Sequence, residues 1–294
     1  MVNPLPSFKR IVKMKKLKIK EGTKKIDSYQ YKDRKDIEEL IIADSVEEIG
    51  ALAFSGCFNL KKITWGKHVH TIGDGAFLCC FSLESLHLPN SIKYVGNSAF
   101  ISTGLTYVEF EDNDEVVIGN SAFAYCSRLI YAILPIGLKH IYAETFYACS
   151  KLEDVFIPET VTSIGIKAFS EIAAEQIELP NSIETISMMA FYNSELTSVD
   201  LPDSVLAIGE SVFGLCCNLR SVKIGKSIVH IEKKAFEDCS ALSEVTFRST
   251  IIGSIGTYVF KGCKGLKRIN VPASAMSQYK RLLPKFLHKK LVEF

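Results

Sequence analysis

The chain has 294 residues, 47% of them hydrophobic and 23% charged, with nine prolines. That is enough apolar material to bury a large core, and without a run of eighteen apolar residues it excludes a transmembrane helix. The formal net charge of +2 is unevenly spread: +9 over residues 1–35, −15 over 36–260 and +8 over 261–294. Charged ends of this kind are expected to be solvated caps.

The N-terminal segment, residues 1–16, is basic but lacks the apolar stretch and small-residue cleavage site of a signal peptide, and is expected to precede the first strand. Leu17 and Ile19 then alternate as a capping strand. From there an internal repeat governs the chain. Phe54, Phe77, Phe100, Phe123, Phe146, Phe169, Phe191, Phe213, Phe236 and Phe260 follow one another at intervals of 22 to 24 residues, and Tyr31 fills the same slot before them. Five residues ahead of the aromatic stands an aliphatic such as Ile49, Ile72 or Val95. Glycine follows in seven coils, among them Gly50, Gly73 and Gly96, and suits a tight turn there. Tyr142, Ser187 and Glu232 take that place elsewhere. Ala53, Ala76, Ala99 and Ala122 precede their aromatics, small enough for backbones to approach.

Six residues beyond Phe77, Phe146 and Phe213 the pattern switches to alternation, in Leu83 to Pro89, Leu152 to Pro158 and Leu219 to Ile224. Apolar residues two apart mark a strand with one buried face. Proline often closes it, at Pro89, Pro135, Pro158, Pro180, Pro202 and Pro272. One coil cannot bury its own Leu, Val, Ile and Phe, but stacked coils can. The expected fold is a mainly β repeat solenoid with irregular or short helical turns, about eleven coils of ~23 residues. Its strands form one parallel sheet on the concave face, in a body roughly 50 Å long.

The unit AFxxCxxLxxVxLPxSVxxIGxxAF, read in Ala76–Phe100 and with changes in Ala235–Phe260, resembles the BspA-type leucine-rich repeat over residues 17–272. The resemblance implies a surface-type protein of bacteria or protists that adheres to host proteins or other cells. Function must nevertheless be argued from the site, because a fold hosts many activities.

Seven of the nine cysteines stand three residues past the aromatic: Cys57, Cys80, Cys126, Cys149, Cys216, Cys239 and Cys263. Thr103, Ile172 and Ser194 fill that slot in other coils, so the position reads as small and buried, not as a ligand. Stacked parallel side chains have poor disulfide geometry, and free thiols fit a reducing compartment, against the cell surface that the resemblance implies. Cys79 and Cys217 lie outside this slot. The six histidines form no HExxH, and GxSxG, P-loop and GxGxxG motifs are absent. No enzyme, metal or cofactor is expected. The five acids in Glu109 to Glu115 lack EF-hand spacing and read as a solvated loop.

Alternation about the core slots Ile63, Leu86, Val108, Ala132, Val155, Ile177, Val199 and Val222 sends their strand neighbours outward. In the middle coils Tyr107, Tyr131, Ile133 and Phe156 come to lie beside Glu109, Asp154, Glu178 and Asp200. Exposed aromatics ringed by acids have the anchor-and-rim anatomy of a protein interface. The expected function is therefore a non-enzymatic protein-binding scaffold. Its partner is a host or cell-surface protein or a basic peptide segment, in preference to nucleic acid or membrane. The alternatives are an intracellular interaction protein of the same fold, and a scaffold whose basic ends dock on nucleic acid or acidic lipid. Residues 273–294 are expected to form a basic helical cap, a short serine-capped helix from Ser274 to Leu283 stopped by Pro284, with Phe286, Leu287, Leu291 and Val292 over the last coil.

Overall fold

The computed structural model describes residues 15–294. The expectation for the N-terminal segment falls mostly on residues 1–14 and so lies outside the described residues. From Lys15 the chain winds as a solenoid of about twelve turns. Its spine is one uninterrupted column of aromatic rings from Tyr31 to Phe260. Successive centroids lie 5.3–5.6 Å apart with planes 3–14° from parallel. The rings from Phe54 to Phe236 are fully buried, and each finds its apolar neighbours one turn away.

The backbone around each ring explains how it is turned inward. Two residues before and two after it, φ is positive: Ser98 and Ser102 (both 55°) flank Phe100, and Glu144 (58°) and Ala148 (56°) flank Phe146. This alternation aims every second peptide group along the solenoid. Leu52 N, Phe54 N and Gly56 N each donate to the next coil at 2.8 Å, to Asp74, Ala76 and Leu78.

Two walls of parallel strands complete the solenoid. Two-residue strands such as Glu48–Ile49 and Thr71–Ile72 form the narrow one, and strands of three to five residues such as Ser85–Leu88 and Tyr107–Phe110 form the broad face. The narrow wall is itself interrupted between Val117–Ile118 and His140–Ile141. The glycine after the aliphatic serves a different purpose from a tight turn. A Cβ on Gly96 would lie 2.5 Å from Asp74 N, and one on Gly50 2.5 Å from Ser28 N. In these coils the preceding coil's backbone fills the space a side chain would take.

The broad face is not one sheet. Its ladder is interrupted after Lys62–Thr64 and again between Asp154–Phe156 and Ser198–Asp200. The coil at the second break, with 22 residues from Phe169 to Phe191, forms no strand at Gln176–Glu178, contrary to its alternating sequence. The slots next to the breaks, Ile63 and Ile177, are only partly buried, whereas Leu86, Val108, Ala132, Val155, Val199 and Val222 are buried.

At the C-terminus a 3-10 turn, Ala273–Ala275, leads into the helix Met276–Leu282. No side chain caps that helix, so Ser274 does not act as its cap. Its anchor is Tyr279, fully buried, with its ring 4.8 Å from Phe247 and its hydroxyl donating to Ser249 O at 2.9 Å. Leu287 is buried beyond Pro284, and Leu291–Glu293 adds a parallel strand to Arg268–Val271, while Phe286 and Val292 stay exposed.

Candidate functional site

Parallel register lays out the middle of the broad face in two rows. Tyr107, Tyr131 and Asp154 are direct neighbours in one; Glu109, Ile133 and Phe156 are direct neighbours in the other. Between the rows Val108, Ala132 and Val155 point into the core, so all six flanking side chains stand on the outside. Tyr107 and Tyr131 stack with centroids 5.8 Å apart and planes 5° from parallel. Partial burial, and then the adjacent Glu109 carboxylate, push the Tyr107 hydroxyl up to about 12, so it stays a neutral donor. Phe156 is 51% exposed, which is unusual for a phenylalanine with so much apolar surface to hide.

One edge of this patch holds a clamp. His87 Nδ1 lies 3.1 Å from Glu109 Oε2, and His87 Nε2 lies 3.2 Å from Glu111 Oε1. Burial alone disfavours its charge, but the two carboxylates outweigh that and raise its pKa. Glu111 also accepts from Asn90 N at 3.0 Å, which, with His87, holds its own pKa below the usual range. The acidic loop that follows is exposed, apart from half-buried Asn113, which donates to Asn90 O at 2.9 Å.

The other edge opens into a groove of about 880 Å³ along the second break in the sheet. Tyr131, Asp154, Phe156 and Glu178 line it, together with Glu153, Glu159 and Glu175. Those five carboxylates face no lysine or arginine in the lining, and none is in an ion pair among the described residues. Tyr107, Glu109, Tyr131, Ile133, Asp154 and Phe156 thus form one continuous surface that leads to Glu178. Asp200 stands apart: it is paired with Arg248 and lies 3.8 Å from Lys223, its charge already answered. Alternation about the core slots passed over Glu153, Glu159 and Glu175 because they lie beyond the strands. The signal available was their crowding of acid on either side of Asp154 and Gln176.

The cysteine column is the other regular array of polar atoms. All nine thiols are free. Each in-slot thiol donates to the carbonyl of the aromatic one coil back, as Cys149 Sγ to Phe123 O at 3.2 Å and Cys239 Sγ to Phe213 O at 2.9 Å. Burial pushes Cys57, Cys126 and Cys216 up to about 11, which makes them weak nucleophiles.

Solved structures share this architecture. A leucine-rich repeat protein from Bacteroides ovatus is similar with a TM-score of 0.54 at 24% identity, over 92% of this chain and 87% of that one. The pneumococcal vaccine antigen PcpA is similar with a TM-score of 0.60 at 25% identity, over 92% of this chain and 71% of that one. A leucine-rich repeat protein from Eubacterium ventriosum gives 0.53 at 19% identity, over 88% and 79%. No curated protein matches the sequence. The family described as "BspA type Leucine rich repeat region (6 copies)" matches residues 5–130, 116–243 and 167–282, which overlap along almost the whole chain. With its ring column, paired ladders and repeated unit, the chain belongs to the BspA-type leucine-rich-repeat family.

Proposed function

We propose that the protein is a non-enzymatic binding scaffold whose broad face, from Tyr107 to Glu178, holds a basic segment of a protein partner. The observation that carries this reading is the groove beside Phe156, where five carboxylates without ion pairs surround an exposed aromatic. An aromatic anchor with a charged rim is the usual anatomy of a specific protein contact. The likeness to a pneumococcal vaccine antigen supports a surface-exposed role of the adhesin kind, and the resemblance drawn from the repeat points the same way.

The test is to pan a random peptide display library on the intact chain and on a Tyr131→Ala/Phe156→Ala variant. Peptides rich in Lys and Arg should be enriched on the intact chain and lost on the variant, with circular dichroism unchanged. Equal enrichment on both would overturn the assignment of this face.

A second reading, docking of a basic end on acidic lipid or nucleic acid, draws support from the C-terminus. There Lys264, Lys267, Arg268, Lys280, Arg281 and Lys285 have no ion pair among the described residues, whereas Lys15, Lys16, Lys24 and Lys25 pair with Asp36, Glu39, Glu47 and Glu48. Deleting residues 274–294 would uncover Phe247, so the cleaner test is Lys280→Gln/Lys285→Gln. Loss of salt-sensitive binding to anionic vesicles would favour this reading, and unchanged binding would remove it.

A further inference from the structure

The break beside the groove leaves a strand edge open. Asp154 N donates to Ile130 O at 3.3 Å and Phe156 O accepts from Leu134 N at 3.2 Å, so both residues turn their peptide groups to the preceding coil. Alternation then turns the N–H and C=O of Val155 the other way. On that side lies Gln176–Glu178, which makes no backbone hydrogen bond to Asp154–Phe156. Leu134 N reaches the next coil in its turn; Ile157 N, its counterpart one coil on, reaches nothing. Beyond the gap, Ser198–Asp200 pairs only with the following strand.

The opening is confined to the broad face. Ser163–Ile164 still pairs with Thr185–Ile186, Phe169 N still donates to Ala190 O at 2.8 Å, and the Phe169 and Phe191 rings stay 5.5 Å apart. The solenoid keeps its spacing at the spine and wall while one rung of the face ladder is missing. An unpaired edge of this kind is a template for another strand.

We propose, on the basis of the face assignment above, that Asp154–Phe156 is a strand-addition site for an extended partner segment with basic and apolar residues in alternation. The Val155 peptide group and Ile157 N supply the backbone hydrogen bonds, which give affinity without regard to sequence. Side chains supply the choice. Outward residues of the added strand come to lie beside Asp154 and Phe156, within reach of Glu153 and Glu178, so cationic residues with long apolar stems fit there. Residues between them point inward beside Val155 and must be small or apolar. The other interrupted rung of the broad face, at Lys62–Thr64, presents Lys62, which is in no ion pair among the described residues and would repel the same segment.

The probe is a blocked Lys-Val-Lys-Val-Lys-Val-Lys peptide, compared with versions N-methylated at all lysine or at all valine amides, on the full chain. Methylation of at least one set should weaken binding tenfold or more, because it removes the donors on the paired edge. The parent peptide should also slow amide hydrogen exchange at Val155 at least tenfold and leave Val108, already inside the ladder, unchanged. If all three peptides bind alike and Val155 exchange does not change, strand addition is wrong. In that case, loss of binding in the Tyr131→Ala/Phe156→Ala variant would still leave the face assignment standing. If the parent peptide does not bind at all, both proposals fall.

Discussion

Cys149 Sγ donates to the carbonyl oxygen of Phe123 at 3.2 Å, inside a fully buried stretch of the solenoid. The same carbonyl accepts Cys126 N at 3.4 Å, so the thiol completes its second lone pair. Cys149→Ala removes that donor and leaves a small void, and should cost ~1–3 kcal/mol in urea unfolding. Cys149→Ser keeps a donor of similar reach and should cost clearly less. If the two variants unfold at the same urea concentration, the thiol contributes only volume.

Two neighbouring backbone positions should respond to glycine in opposite ways. Ala148 sits at φ 56°, where its Cβ is sterically disfavoured, so Ala148→Gly should stabilise by about 0.5–1 kcal/mol despite the added chain entropy. Gly96→Ala should destabilise by ~2 kcal/mol or more, because its Cβ would come within 2.6 Å of the Gly73 carbonyl carbon and 2.5 Å of Asp74 N. Thermal melts of the two variants measured together provide the check, and a shift of the same sign in both would refute the backbone reading.

How far the sequence could be read depended on whether a feature repeats. The ring column, the outward rows and the free thiols follow from slots that recur at a fixed spacing, so Tyr31 could be placed even though it is not phenylalanine. The missing strand at Gln176–Glu178 could not. Its residues alternate like the others, and a 22-residue interval also separates Phe191 from Phe213, where the next strand does form. Loss of a rung depends on how one coil seats on the next, which no local pattern records. The glycine slot was misread for the same reason, since the close approach at Gly96 lies between coils and not within the turn. Ser274 failed as a cap because the chain leaves Pro272 in a 3-10 turn and the helix begins after it.

Position along the column should set the cost of removing a ring. Phe146 is fully buried and stacks on both Phe123 and Phe169, so Phe146→Ala should cost ~3–5 kcal/mol. Tyr31 is half-buried and, among the described residues, stacks only on Phe54, and Tyr31→Ala should cost less than half as much. In a chain stabilised by nearest-neighbour interfaces, the end should fray before the middle breaks. Urea unfolding followed by intrinsic fluorescence would show this, and equal losses in both variants would contradict it.

The histidine clamp makes the broad face sensitive to pH. The Glu111 and Glu109 carboxylates raise His87 above the ordinary histidine value of 6.5 when the chain is folded. A group with a raised folded pKa adds stability that is complete below its unfolded pKa and is lost as pH rises through the folded one. The melting temperature of the intact chain should therefore fall as pH climbs from 6.5 through the folded His87 pKa, and His87→Gln should flatten that part of the profile. The shift should be small, because the pair is largely exposed and salt screens it. Proton NMR gives the direct measurement: the His87 ring should titrate above 6.5 in the intact chain and return toward it in Glu109→Gln/Glu111→Gln. A ring that titrates at or below 6.5 in the intact chain would mean that burial, not the two carboxylates, governs its charge.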